Sequence, residues 1–494
     1  MTTNSEEKSP VSIPNIGYEN MAVDWGLILS LLGGTRAMRD AGQKWLPMEP
    51  AESTTSYDIR LGRAVLYNAL RDTLHKLKNR PFTHAINVTD LPAEISYLEN
   101  DVDGAGTSLD TFLTDVLENL IQYGIAHIFV DHSVIESIAE GNEITKAEEN
   151  ELGVRVFLVN VSPANLIGWQ SVKTQKTTEL TQIRIQEAVI EADGEYGDAE
   201  SQYITVYHPD GWELHQQDAE NEDKYDLLEI GDTSLGKIPL VTIYANRTGF
   251  LTADPPLMDL AWQNLSHWQS GSDQKNILRF SRFGLIFGKG LPEALAKTGQ
   301  LDLGPTKALL VEDKDADLKY VEHSGKAIEA GRKDLEDIEQ KMRVLGNQPL
   351  MKELPNTATA ERLDEGRTVS QLQSWIRSLE RGIKKALELA CEWRKIESPE
   401  TMAVDIYSDF EAVVLGGSDK ELLLKMKQDG DITRVRLLKE EQRRGVFSQD
   451  MDPEEESEAA QKESDDDIKS LLPEDDLSSD DDDLGNDDDD LNSE

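Results

Sequence analysis

Apolar residues recur at helical spacing from Tyr57 to Leu77 (Leu61, Ala64, Leu70, Leu74, Leu77) and Pro81 closes the segment, so the pattern predicts one helix. Thr107 and Asp110 then stand in the S/T-x-x-D/E relation of a capping box. Leu109, Phe112, Leu113, Val116 and Leu120 follow, with Gly124 as a C-terminal stop. That is a second helix. IAHIFVD, VRVFLVN, LTQIRIQEAVIE, QYITVYH and IPLVTIYA are apolar or β-branched runs separated by turn residues, which predicts a sheet-rich unit over residues 125–245.

The stretch PPLMDLAWQNLSHWQSGSDQKNILRF, Pro255 to Phe280, changes character halfway. Its first half carries Leu257, Ala261, Leu265 and Trp268 at helical spacing, and its second half is polar. A helix that loses its apolar stripe faces water or another chain across a wet interface. After it, residues 281–322 break into short strand-like pieces with Gly and Pro between them, a small α/β module. Helix resumes near His323, where Ile328, Gly331, Leu335, Ile338, Met342 and Leu345 fall at alternating steps of three and four, a heptad seam that needs a neighbouring helix. NQPLMKELPNTA, with Pro349 and Pro355, predicts a loop. Thr357 to Arg394 then carries Val369, Leu372, Ile376, Leu379, Ile383, Leu387 and Ala390 on one stripe, interrupted by Gly366 and Gly382, a long helix expected to kink. Ser418 and Glu421 form another capping box opening a helix stopped by Gly430, and a further helix runs to Arg444 and Gly445.

Composition changes this picture at the C-terminus. The 494 residues carry a formal net charge of -45, and Met451 to Glu494 hold 21 acids against two lysines. That tail has too few apolar residues to offset ordering entropy, so disorder is expected. An acidic surface repels phosphate backbones, which argues against tight non-specific DNA binding. The single cysteine, Cys391, excludes an intrachain disulfide and fits a reducing compartment and a small apolar helix residue. The N-terminus has no basic stretch followed by an apolar core, and no apolar run approaches the roughly 20 residues of a membrane span. A soluble, intracellular chain is expected.

Candidate chemistry is sparse. The lysines after Gly236, Gly288 and Gly325 lack the hydroxyl of a phosphate-cradling loop, so the chain is not itself a P-loop motor. DVDGAG from Asp101 resembles the start of a calcium loop, but Ala105 and Phe112 stand where ligands are needed, and a turn leading into the next helix is preferred. The histidines show no H-E-x-x-H and no pairing with Cys391; His127 fits a satisfied core histidine. There is no G-x-S-x-G. The Asp runs at 465–467 and 480–483 lack the fixed geometry of a metal nuclease.

In order, a mixed N-terminal part, a long helix, a small α/β insertion, a returning helix, a Pro-flanked loop, a very long helix and a helical C-terminus resemble the portal proteins of tailed bacteriophages. YDIRLGRAVLYNALRDTLHKL, VDGAGTSLDTFLTDVLENLIQYGIAHIFVD, the Pro255–Phe280 stretch, YVEHSGKAIEAGRKDLEDIEQKMRVLG and TATAERLDEGRTVSQLQSWIRSLERGIKKALELACEW carry that resemblance over roughly residues 20–450. It implies an α+β fold with these parts: a mixed wing, 1–253; a first stem helix, 254–280; a clip, 281–322; a second stem helix, 323–345; a tunnel loop, 346–358; a wing part with a long kinked helix and a strand, 359–415; and crown helices, 416–450. The acidic tail, 451–494, lies outside the pattern.

The resemblance further implies a ring of about twelve subunits at one capsid vertex, a closed symmetric assembly. Double-stranded DNA would pass through it in packaging and ejection, without sequence specificity. The implied partners are the terminase large subunit, which supplies the ATPase, the major capsid and scaffolding proteins, and head-completion or tail adaptor proteins. No membrane, cofactor or catalysis is implied, and assembly would occur in the host cytoplasm before incorporation into the virion. Opposite the seam, the returning helix carries Glu329, Lys333, Glu336, Asp337, Gln340 and Arg343, mixed in sign. Lys333, Gln340, Arg343, Asn347 and the loop's Lys352 are the DNA-channel candidates; Ile328, Leu335, Ile338, Met342 and Leu345 are the packing seam. An acidic scaffold or chaperone whose tail masks basic partners is the rival, and a metal nuclease a third.

Overall fold

A computed structural model describes residues 9–133, 154–194, 196–283, 285–289, 315, 317–321, 325–350, 370–408, 425–427, 432–443 and 451–471. The chain divides into two compact units, Met1–Ser408 and Asp409–Glu494.

The first unit opens with α1 (Ile16–Leu32) and α2 (Gly34–Asp40). α1 buries Met21, Trp25, Leu27, Ile28 and Leu31. Its Trp25 stands edge-on to Tyr18 and Tyr123 at 5.5 and 5.2 Å, the geometry the ring quadrupole favours. The helix expected from Tyr57 to Leu77 is instead two, α3 (Thr54–Arg63) and α4 (Ala69–Asn79). Ala64 is extended (φ -62°, ψ 135°), and the Asn68 side chain caps α4 by accepting from Arg71 N at 3.0 Å. An Asn that captures a backbone N–H three residues on competes with helix continuation, which apolar spacing alone does not register.

After β1 (Asn87–Thr89) comes α5 (Leu109–Tyr123). Its N-cap is Ser108, without a side-chain cap bond, so the expected Thr107–Asp110 capping box does not form. The preceding turn is organised by carboxylates: Asp101 accepts from Gly104 N and Gly106 N, and Asp103 from Ala105 N and Thr107 N. Arg155 donates to Asp101 at 2.8 Å, and that bond holds the Asp101 carboxyl down at about 2. At the far end Gly124 takes φ 79°, and a Cβ there would meet Asp254 O at 2.2 Å, so only glycine ends α5 here.

β2 (Ile125–His132), β3 (Val156–Val161), β4 (Leu166–Lys173), β5 (Thr178–Asp193), β6 (Gly197–His208), β7 (Gly211–Gln217), β8 (Tyr225–Asp232) and β9 (Leu240–Tyr244) make the expected sheet-rich region. A three-stranded sheet, β3-β2-β9, has its central strand buried from Ile125 to Val130. The other five form an antiparallel meander, β4-β5-β6-β7-β8, against which Arg184 straps the N-terminal segment by donating to the carbonyls of Pro10, Val11 and Ile13. His127 lies in the first sheet, buried and 3.0 Å from Thr242 Oγ1, and burial pushes it down to about 3.

The short strands β10 (Arg247–Gly249) and β11 (Thr252–Ala253) lead into α6 (Met258–Phe283), which is followed by the antiparallel strand pair β12 (Leu285–Lys289) and β13 (Asp317–Val321). α7 (Lys326–Asn347) begins three residues later than expected and runs into a 3-10 turn at Gln348–Leu350, so the first residues assigned to the loop are helical. α8 (Gln371–Trp393) is shorter than the helix expected from Thr357. Ser370 and Gln373 form a reciprocal capping box that starts it, and the helix is continuous, without the expected kink. Val369 and Gly366 fall outside the described residues. The predicted stripe of α8 is buried at Leu372, Ile376, Leu379, Ile383, Leu387 and Ala390, with Cys391 beside it. Gly382 lets the helix approach Ile243 of β9. β14 (Ala403–Asp405) pairs antiparallel with β1.

In the second unit, α9 (Arg434–Arg443) and α10 (Pro453–Leu471) are described, together with helical residues 425–427; Ser418, Glu421 and Gly445 fall outside. The expectation of a wholly disordered tail is corrected over α10. Asp452 accepts from Glu454 N at 2.8 Å, Pro453 occupies the first helical position, and Glu454, Glu455 and Glu456 sit in the first turn, where the helix dipole favours anions. Lys439 of α9 pairs with Glu454 at 3.0 Å.

Candidate functional site

α6 and α7 form an antiparallel pair whose register is fixed by polar contacts. His267 Nε2 lies 3.4 Å from Glu339 Oε1, and Gln274 Nε2 donates to Ile328 O at 2.9 Å. Gly271 faces Leu335. Gly331 faces Gln274 so closely that a Cβ would meet Gln274 Oε1 at 2.2 Å. The heptad seam predicted from spacing points at α6: Ile338 and Met342 are buried and Ile328, Leu335 and Leu345 half-buried. The residues between them are mostly exposed, and at its C-terminal end α7 also meets α4, where Gly346 lies against Thr73.

The polar character of α6 has a second origin. Asn264 is fully buried; its Oδ1 accepts from Leu70 N at 3.0 Å and its Nδ2 donates to Tyr67 O at 2.8 Å. It therefore satisfies backbone groups freed where α3 gives way to α4. Further down, Gln269 donates to Trp45 O, and Asp273 lies 3.7 Å from Arg60. Arg60 itself is buried, with Glu52 bound to it at 2.9 and 2.8 Å and Pro47 O accepting a further bond; that charged contact lowers the Glu52 pKa. Much of the polarity expected to face water or other chains is thus spent inside the chain itself. Sequence reasoning missed Arg60, Asn264, Ser272 and Gln274, because a polar residue at helical spacing carries no mark of burial.

Of the channel candidates, Lys333, Gln340, Arg343 and Asn347 are exposed on α7, while Lys352 lies outside the described residues. Lys333 and Gln340 stand opposite the seam. Arg343 is 3.8 Å from Glu339, and Arg332 pairs with both Glu329 and Glu336. α7 as a whole carries five cations (Lys326, Arg332, Lys333, Lys341, Arg343) and five carboxylates (Glu329, Asp334, Glu336, Asp337, Glu339). In a chain of net charge -45, this helix is neutral.

Among the described residues no group of three or more His, Cys, Asp or Glu could hold a metal ion, and no helix is long and apolar enough to cross a membrane.

A family described as a domain of unknown function (DUF4055) matches residues 256–394, from the start of α6 to the end of α8. No curated protein matches the chain. Among solved structures, a chain in a structure described as the virion of a native gene transfer agent (GTA) particle is 11% identical with a TM-score of 0.38, covering 74% of this chain and 88% of that one. A chain in a structure described as the neck of an empty GTA particle gives 11% identity and a TM-score of 0.38, covering 75% and 89%.

Proposed function

We propose that this chain is a subunit of a phage-type portal ring that conducts double-stranded DNA into and out of a capsid. The observation that carries this reading is the α6–α7 pair: two antiparallel helices, joined through a segment containing the paired strands β12 and β13, with α7 neutral in a strongly acidic chain and exposed on the face away from α6. A wall with several uncompensated cations per subunit would condense onto the phosphate backbone and hold it in a salt-dependent clamp. A wall of net negative charge would oppose entry. Balanced charge, with Arg332 and Arg343 already paired along their own helix, does neither, which suits a duplex that must slide. Lys333, Gln340, Arg343 and Asn347, and by the sequence reading Lys352, would face the duplex; terminase, capsid, scaffolding and tail-adaptor proteins would dock elsewhere on the ring. No step of bond chemistry is assigned to the chain.

Mass photometry and negative-stain imaging of the purified full-length chain test this directly. Rings with a central hole are expected. A chain that stays monomeric at micromolar concentration would refute the ring. The rival, an acidic scaffold, draws on the acid-rich α10 and would show as small assemblies that bind basic proteins and lack a hole.

A further inference from the structure

Between α3 and α6 lies a cleft lined by Arg60, Arg63, Ser272, Lys275 and Arg279, among others. Arg60 is neutralised by Glu52 and Asp273. Arg63, Lys275 and Arg279 have no carboxylate partner among the described residues, so three uncompensated cations converge in a chain with 95 acids and 50 bases. Ser272 is 4% exposed, and its hydroxyl, which lines the same cleft, has no hydrogen-bond partner among the described residues. The cleft's volume of about 20 Å³ admits about one water, so a carboxylate arriving from outside would meet the cations at its rim and not the buried hydroxyl.

Candidate anions stand on α7. Asp334 and Asp337 are exposed and have no cationic partner among the described residues. On α6, residues 272, 275 and 279 form a row turned about 100° or slightly more from the row (267, 271, 274) that meets α7. On α7, Asp334 and Asp337 precede seam residues Leu335 and Ile338 by one position, and are likewise turned about 100° from the seam. The turn follows rising numbers on α6 and falling numbers on α7. Because α7 runs the opposite way, both turns have the same sense when the pair is viewed from one end. Two helices that face each other and turn in the same sense present those rows on opposite flanks of the pair. Level matches as well: Leu335 sits opposite Gly271, so Asp334 stands at the height of Ser272.

We infer that the cations Arg63, Lys275 and Arg279 at the rim of this cleft pair with Asp334 of a second copy of this chain, making a head-to-tail contact between adjacent helix pairs. A receptor on one flank and its ligand on the other is the heterologous arrangement that rotation repeats and closes into a ring. Rotation about an axis along the pair moves a copy sideways without changing level, which keeps Asp334 level with Ser272. The inference rests on the ring proposed above and deepens it by naming which faces meet.

The test uses the full-length chain with Lys275→Cys and Asp334→Cys, treated with a short thiol cross-linker. Native Cys391 is 1% exposed and does not compete. A ladder of covalent oligomers is expected, while Lys275→Cys with Glu336→Cys, which lies on the other flank of α7, should give none. In parallel, Asp334→Lys should raise the concentration for half-maximal assembly by about tenfold or more, since like charges then meet at every contact. Adding Lys275→Glu and Arg279→Glu should restore assembly, which also shows that the reversed chain folds. Wild-type rings with no ladder, no effect of reversal and no rescue would overturn this contact and leave the ring standing. A cleft that instead binds inorganic phosphate or duplex DNA, without a ladder, would overturn it too. A wild-type chain that never assembles would refute the ring and the contact with it.

Discussion

Gly331→Ala is the most informative single change in the helix pair, because two opposing effects act there and the packing sets which one wins. In an exposed helix interior, replacing Gly by Ala stabilises by about 0.8–1 kcal/mol through backbone entropy. Here the new methyl would sit 2.2 Å from Gln274 Oε1, a side chain only 9% exposed and hydrogen-bonded to Ile328 O. Gln274 must move. Its bond to Ile328 goes, a net loss of about 1 kcal/mol, and overpacking adds about 1–3 kcal/mol. Subtracting the propensity gain leaves a destabilisation of about 1–3 kcal/mol. Gln274→Ala alone should cost about 1 kcal/mol for the bond. The double variant should recover the propensity gain and be more stable than Gly331→Ala, a coupling of 1 kcal/mol or more in magnitude, as expected for residues in contact. Urea denaturation with hydrogen exchange resolved over residues 267–275 and 330–342 reads this locally. If Gly331→Ala equals or exceeds the wild type while Gln274→Ala costs stability, the two helices do not pack in this register.

Replacing Ile338, which is 5% exposed, by Asp should cost at least about 3 kcal/mol by burying an unpaired carboxylate against α6, and assembly by mass photometry should fail. Acid should weaken the first unit through His127: its ordinary value of 6.5 falls to about 3 on burial, so in that window the unfolded chain binds a proton the folded chain refuses. Stability from this group is full above 6.5 and declines as pH falls toward 3, and His127→Gln should flatten the acid limb of a urea-midpoint profile. Truncation after Asp450 removes α10 and its Lys439–Glu454 pair, both in the second unit, and should leave the melting of the first unit and its assembly unchanged; loss of assembly would refute that division.

What the sequence made legible was periodicity backed by burial. The α7 seam, the α8 stripe, α5 with its glycine stop and the fully buried β2 all carry apolar residues in an unbroken pattern. β4, β7 and β8 were not foreseen, because their exposure does not alternate cleanly: β7 is half-covered along its whole length and β8 is exposed on both faces after Tyr225. Side-chain capping overrode apolar spacing twice, at Asn68 and at Ser370, and dipole and capping effects gave α10 an order its composition argued against. At the helix pair, the apolar half of the contact was readable and the polar half was not. Only Gly331, a glycine inside a heptad seam, hinted that a neighbour comes close there.

The pairing of β1 with β14 sets the order in which this protein can mature. Asn87–Thr89 emerge early in synthesis and wait for Ala403–Asp405, with α5 to α8 and β2 to β13 made between them. Contacts of such long sequence separation carry the largest loop-closure entropy and form slowly. The α6–α7 pair, by contrast, is complete as soon as residue 347 clears the ribosome, and its exposed flanks are then available while the strand that closes the first unit has yet to be translated. On a polysome, where several nascent copies lie close together, neighbouring chains could meet through these flanks before either has finished folding. Synthesis in such a crowd would favour orderly assembly only if closure at β14 outpaced that encounter.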